Sequence, residues 1–514
     1  IEREKIVQLS KEPKVIVPLQ ESKAYTPEVK AAVEQVKDEN KGFITGQLLP
    51  ATAEFGADFG VGLERALTPI STRIKNISGD VYKRLRKFEF DVKKNTIADH
   101  EAIVPFLRKL KTLDEDSKIA LDLALKNGDK KVIKAIGIAN NMTNELNAVK
   151  SVLDNLHDRT IDAGMKVNYR WDFFPRIVDD VDGLMDHLAG ETYWSAIEEA
   201  LSNKSATLER DLTKDEKIGV INNLLMGRPV DGVSLAKKGV FKERSIEQIN
   251  LELNKFYGTS DKALLNYVGV ANEAIETSIF FGKAVDLEGN PDVTDSVGAL
   301  VAELKLGSRE ATLLAEMLAA RFNSGRMGRI AAAARNLSYM DTMGTVLNAA
   351  TQIGDIATSL FNSGILNTLS VLPAAVMNKT RMALKDIAVD QIAEEFDSGS
   401  LTSLGVNKVF KLSGLHKMDA VGKLTLVNSA LKKYTQQAKK NNASLNKELE
   451  FMFEGDAAQV KQDLMDGNIT NDVKFLLFNK LLDMQPMAKS EMPEYYLRNG
   501  NLKIVYMLKT FTIR

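Results

Sequence analysis

The sequence predicts an all-α chain: an elongated multi-helix assembly with an extended N-terminal arm and few or no strands. Three observations carry this. Only 12 Pro and 33 Gly are spread through 514 residues, too little punctuation for a strand-rich sandwich and compatible with long helices. Ser or Thr followed three residues later by Glu or Gln recurs ahead of apolar residues at helical spacing, the pattern of a capped helix start. Between Lys131 and Arg159, the residues Ile133, Ile136, Met142, Leu146, Val149, Leu153 and Leu156 lie mostly three to four apart, with Ala139 filling the larger gap. They form one apolar stripe opposite a face of Lys, Asn and Asp.

The elements follow in order. Residues 1–25 hold the short β-like run Lys14-Val15-Ile16-Val17-Pro18 between charges and are expected to form an extended arm. Ile1 to Lys14 is charged throughout and contains no apolar stretch of signal-peptide character. Thr26-Pro27-Glu28 opens a helix, with a capping hydroxyl, a proline at the first helical position and an acid at the positive end. Gly56, Gly60 and Gly62 lie in a Gly/Ala-rich stretch; with no preceding strand and no completed GxGxxG they mark a loop or a close helix contact. Capping boxes at Thr112/Glu115, Ser195/Glu198, Thr213/Glu216 and Ser245/Gln248 predict four further helix starts. The run from Lys131 to Arg159 is expected to be one continuous helix. Asn168 to Arg176, with Tyr169, Trp171, Phe173 and Phe174, breaks the helical period and predicts an irregular connector packed on the core. Asp286 to Pro291 is rich in turn residues and predicts a second boundary. These boundaries divide the chain into an arm (1–25), a helical module (26–165), a connector with a second module (166–290) and a third module (291–514).

The least usual stretch is 342–378, whose one formal charge is Asp355; Ile356 to Met377 gives 22 consecutive uncharged residues. That is enough to span a hydrocarbon core needing roughly 20 residues. Asn362, Ser363, Gly364, Asn367, Thr368, Ser370 and Pro373 interrupt it. Two readings stand: a buried helical hairpin, or a segment that is soluble when packed and enters a membrane when released. The candidate membrane or channel residues are Ile356, Leu360, Phe361, Ile365, Leu366, Leu369, Val371 and Leu372.

Chemistry is sparse. With no Cys and four His, thiolate metal sites, disulfides and a Cys nucleophile are excluded, and no metal or other cofactor is expected. Gly282-Lys283 and Gly422-Lys423 lack the upstream glycine of a phosphate loop. No GxSxG elbow exists. His157 reads as a solvated helix-end residue and His416 as a turn residue. Asp179-Asp180-x-Asp182 lacks the later ligands of a calcium loop and reads as a solvated acidic turn. No catalytic constellation emerges, and an enzymatic role is not expected. A net charge of −1 argues against a dedicated DNA-condensing protein. Two local basic patches remain as phosphate or lipid-head candidates. Lys83, Arg84, Arg86 and Lys87 interleave with Tyr82, Phe88 and Phe90; Arg326, Arg329 and Arg335 precede the uncharged stretch. For the first patch the alternative is a solvated helix face whose aromatics point inward.

Several stretches together resemble a known family. Tyr169 to Leu184, around Phe173-Phe174-Pro175-Arg176-Ile177-Val178-Asp179-Asp180, is similar to a Y/F-P-R-x-V-x-D segment of very large phage and mobile-element polyvalent proteins. The stronger resemblance spans about 320–514. It is carried by Thr351-Gln352-Ile353-Gly354-Asp355 with Asn362-Ser363-Gly364, by Gly414-Leu415-His416-Lys417-Met418-Asp419, and by Gln485 to Pro493 with Met507 to Ile513. These look like a polyvalent-protein-associated helical domain of bacteriophage internal virion (ejection) proteins. In that family the sequence continues past the Lys-Thr-Phe-Thr-Ile run, so the chain, which opens on Ile1, reads as cropped. The resemblance implies a protein packaged in the head or at the portal and ejected with the genome, helping to form a DNA conduit across the host envelope. Its implied partners are portal or other ejection proteins, further copies of itself, and possible contacts to genomic DNA and host membrane. Two alternatives stay open: a non-catalytic scaffold portion of a giant virion protein carrying an RNA polymerase or peptidoglycan hydrolase elsewhere, and a fixed portal-associated structural protein.

Overall fold

A computed structural model describes residues 65, 68–165, 173–177, 179, 249–282, 297, 300–301, 304, 307–322, 353–387, 389, 415–485 and 488–498. Among these the chain is all-α, with an isolated antiparallel bridge between Pro69 and Pro493. The helices are α1 (Ile70–Ile77), α2 (Gly79–Thr112), α3 (Glu115–Asn127), α4 (Lys130–Ala139), α5 (Thr143–Asp162), α6 (Ser260–Phe281) and α7 (Ser308–Phe322). They continue with α8 (Ile353–Ser363), α9 (Ile365–Val376), α10 (Leu415–Lys439), α11 (Ala443–Phe453), α12 (Ala457–Asp466), α13 (Asn471–Met484) and α14 (Glu494–Arg498). The predicted N-terminal arm, the helix start at Thr26, the glycines at 56–62, the boxes at Ser195, Thr213 and Ser245, and the turn at 286–291 lie outside the described residues.

α2 is the spine. Its 34 residues make a rod of about 50 Å at 1.5 Å per residue. Ser78 caps it by accepting from Val81 N. Pro105 sits inside it and donates nothing to the carbonyl one turn back, a local weakness that flanking packing offsets. Three hydrophobic cores are strung along α2. Val81, Tyr82, Leu85 and Phe88 join α1, α7, Phe280 and Leu497. Phe90 stacks with Phe475 and Phe478 of α13 at 5.5 and 5.4 Å. Ile103, Phe106 and Leu107 join α3, α4, α5, Phe174 and α6. A fourth core gathers α8, α9, α11, α12 and α13 about α10. In α10 Val421 and nearly every residue from Leu424 to Leu431 is buried, as a helix enclosed on all sides must be. Among the described residues, the cores draw side chains from both sides of residues 165 and 290.

Two local expectations are corrected. The stripe over 131–159 is not one helix. α4 stops at Ala139, Asn141 takes φ +52°, and α5 restarts at Thr143. Asn tolerates the left-handed region better than most residues, and Met142, fully buried, keeps both helices on one core. The apolar stripe survived the break because both segments face the same core. Thr112 is not an N-cap either: it ends α2 and its hydroxyl donates to Lys109 O at 2.7 Å. The cap of α3 is Asp114, which accepts from Ser117 N at 3.0 Å.

Among the described residues of the connector, 173–177 form no helix or strand and lie on the core. Phe174 is buried, Phe173 meets Tyr267 at 5.2 Å, and Arg176 Nε donates to Lys126 O at 2.9 Å, at the C-terminal end of α3. Backbone bonds Asp179 N to Phe256 O and Gly258 N to Ile177 O, both 2.9 Å, tie it to the approach to α6. Asp179 is paired with Lys262 at 2.7 Å rather than merely solvated.

Candidate functional site

The uncharged run folds as two short helices meeting at Gly364, whose φ is +86°. This backbone turn suits glycine, and a Cβ there would meet nothing within 4 Å. α8 has 11 residues and α9 has 12, about 17 and 18 Å of helix against a hydrocarbon core of about 30 Å. The continuous 22-residue span suggested by the absence of charge is therefore broken in the middle, and no described helix is long and apolar enough to cross a membrane.

The pair is not a buried hairpin either. Its inner face is polar and small: among the described side chains the buried ones are Ser359, Ser363, Thr368 and Ala375. Ser359 Oγ lies 2.7 Å from Ser429 Oγ of α10 and 3.1 Å from Thr368 Oγ1. A reciprocal amide pair, Asn367 with Gln436, closes one edge at 3.1 and 3.3 Å. The outer face is apolar: Phe361 is 91% exposed and Leu366 85%, flanked by exposed Ile365, Leu369, Val376 and Met377. Burying such a side chain in full is worth roughly 1.5–3 kcal/mol. Six left out together form a patch of the kind that marks an interaction surface. Small and hydroxyl residues inward with large apolar residues outward inverts the water-soluble pattern and is how helices pack in a non-aqueous medium.

The sequence-level candidates divide accordingly. Phe361, Ile365, Leu366 and Leu369 form the exposed face, while Ile356, Leu360, Val371 and Leu372 are half-buried, Leu372 against the α10 core. Lysines border the patch. Lys432 Nζ donates to Ser370 Oγ at 2.7 Å, Lys433 to Asn362 O, and Lys379 follows Met377 just beyond α9. None of the three has an ion-pair partner among the described residues, and residues 356–379 contain no acid.

The first basic patch is engaged in ion pairs, with Arg86 buried, Lys83 half-buried and Lys87 exposed. Arg86 is 2% exposed and bound to Glu491 at 2.9 Å and Asp483 at 3.2 Å. Burial works against its charge, yet Glu491, Tyr82 and Asp483 more than compensate and hold it cationic. Lys83 pairs with Asp80 at 2.7 Å and with Glu454; burial weakens its proton affinity, but the two carboxylates outweigh that and raise it. Lys87 pairs with Asp91 at 2.8 Å, and Arg84 is half-buried on the same helix. Tyr82, Phe88 and Phe90 are buried, and burial pushes the Tyr82 hydroxyl up to about 12. Arg86 therefore serves the interior and is no phosphate contact. Arg326, Arg329 and Arg335 lie outside the described residues.

Of the acids that hold these bases, Glu491 belongs to a strap at 488–494 that carries further buried ion pairs. Glu89 of α2 accepts from Ser490 Oγ at 2.6 Å, Ser490 N at 3.1 Å and Arg321 Nε at 2.8 Å. Glu273 pairs with Lys489 at 2.9 Å and Arg321 at 3.4 Å. Burial favours its neutral form, but these two cations prevail and lower it. Arg73 meets Glu494 at 2.6 Å, both nearly inaccessible, and Ile70 N donates to Met492 O at 3.2 Å. Nothing in the sequence signalled these pairs, whose members lie as far as 421 residues apart.

Two of the histidines have described side chains. His100 is buried with Nε2 3.1 Å from Leu265 O, and His157 lies on α5 beside Asp158. His416 is not a turn residue but falls in the first turn of α10. No group of three His, Asp or Glu among the described residues could hold a metal ion. Comparison with known proteins returns no matching family model, no significantly similar curated protein and no significantly similar solved structure.

Proposed function

We propose that the chain is an internal virion protein of a bacteriophage, packaged in the head or at the portal and ejected with the genome, where it helps to form a conduit across the host envelope. The observation that carries this is the α8–α9 corner, with apolar side chains outward and hydroxyls inward. It is a surface prepared for a partner other than water, set within the stretch that resembles ejection proteins. The role is mechanical rather than catalytic: helices stitched by ion pairs present the corner, and no residue is assigned to bond making or breaking. Mass spectrometry of purified particles before and after triggered genome release tests the reading. Peptides of this chain present before and lost after are the expected result. Peptides retained in emptied particles would make it a fixed portal-associated component, and absence from particles would overturn the virion reading.

A further inference from the structure

We propose that the α8–α9 corner is an interfacial anchor for an anionic lipid bilayer, one that enters the headgroup and upper acyl region without spanning it. The inference rests on the envelope reading above and names the partner of that site.

Four observations converge. The outward residues Phe361, Ile365, Leu366 and Leu369 are large and apolar, and the two most exposed, Phe361 and Leu366, flank the turn at Gly364. A protruding apolar turn inserts readily into a fluid interface. The inward hydroxyls of Ser359 and Thr368 lie within hydrogen-bond distance of each other, and Ser359 also meets Ser429 of α10, so these polar groups stay with α10 when the outer face enters lipid. α8 and α9 are each too short to cross, which restricts them to a depth of roughly 5–10 Å. Lys379, Lys432 and Lys433 rim the patch without carboxylate partners among the described residues, and long cationic side chains at such a rim reach anionic headgroups. A second copy of the chain is the competing occupant. The same lysine rim argues against it, because a symmetric contact through this patch sets like charges against each other.

The chain has no Cys, so Leu366→Cys carries a single environment-sensitive fluorophore on the full chain. Ile138→Cys, also an exposed apolar site on α4, is the control. Vesicles are phosphatidylcholine alone or phosphatidylcholine with about one-third phosphatidylglycerol. Expected is a blue shift of the label at 366, quenched by shallow nitroxide lipids, only with the anionic vesicles, and none at 138. Phe361→Ser with Leu369→Ser lowers vesicle partitioning at least tenfold, and Lys379→Glu, Lys432→Glu and Lys433→Glu together remove the preference for phosphatidylglycerol. Circular dichroism confirms that each variant is folded. A label that stays wet with both vesicle types overturns the proposal, as does a blue shift that grows with protein concentration in the absence of lipid, which would assign the patch to a second copy. Particle composition is read separately: a chain lost from particles on genome release yet indifferent to vesicles refutes the anchor and leaves the ejection reading intact.

Discussion

Replacing Glu89 with Leu should loosen the strap strongly. Glu89 and Arg321 are 3% and 5% exposed. Removing the carboxylate leaves the Arg321 guanidinium buried with Glu273 at 3.4 Å as its remaining counter-charge, and takes the acceptor from both Ser490 N and Ser490 Oγ. Breaking a buried pair by deleting one partner costs about 3–5 kcal/mol. At about 1.4 kcal/mol per factor of ten, amide exchange in peptides covering 488–498 and 313–322 should accelerate by roughly two to three and a half orders of magnitude. Arg321→Met alone should cost less, because Glu89 keeps two donors from Ser490. Glu89→Leu with Arg321→Met together should recover at least about 2 kcal/mol relative to Glu89→Leu, since an apolar pair of similar volume carries no stranded charge. Exchange mass spectrometry on the three variants measures all of this region by region. An acceleration below tenfold for Glu89→Leu would class the pair with surface ion pairs and refute the reasoning, as would simple additivity in the double variant.

Other perturbations have defined signs. Burial raises Asp99 and Glu276 despite bonds from Asn272, Arg159 and Asn95, so the folded state holds these protons more tightly and their contribution to stability is lost as pH rises through the folded values. The stability of Asp99→Asn relative to the parent, from urea midpoints, should therefore be more favourable at pH 7 than at pH 4; the reverse order would contradict the assignment. Glu273, held low by Lys489 and Arg321, has the opposite sign, and Glu273→Gln should be more harmful at pH 7 than at pH 4. Gly364→Ala, at φ +86° and ψ 154° with open space around the missing Cβ, should cost about 1–3 kcal/mol through the backbone alone. Asn141→Gly should be neutral to mildly stabilising, and Asn141→Val should cost about 1–2 kcal/mol, by thermal unfolding.

Local signals in the sequence were legible where local physics decides. Helical character followed from composition and spacing, and the irregular Phe173–Ile177 connector followed from its aromatic, proline-bearing composition. The break at Asn140-Asn141 was missed because the apolar stripe kept its phase across it; the Asn pair ahead of Thr143 was the available signal. The basic patch at 83–87 was half legible. Its buried aromatics were one of two alternatives, but the acids that neutralise Lys83 and Arg86 are Glu454, Asp483 and Glu491, reached only through tertiary structure. The corner at Gly364 was obscured for a different reason. Polar residues within an apolar run were treated as interruptions, whereas Ser359 and Ser363, one turn apart, and Thr368 define the packed face. In this segment the hydroxyls, not the leucines, marked the inside.

The strap has a consequence for biosynthesis. Ile70, Ile74, Val81 and Leu85 complete their core with Leu497, and Glu89 waits for Ser490, 401 residues downstream. At roughly 5–20 residues per second, a ribosome needs on the order of 20–80 s to make that distance. Throughout that interval the apolar faces of α1 and the start of α2 lack part of their native cover, a standing substrate for chaperones. Among the described elements, the helices synthesised first are thus among the last to be sealed.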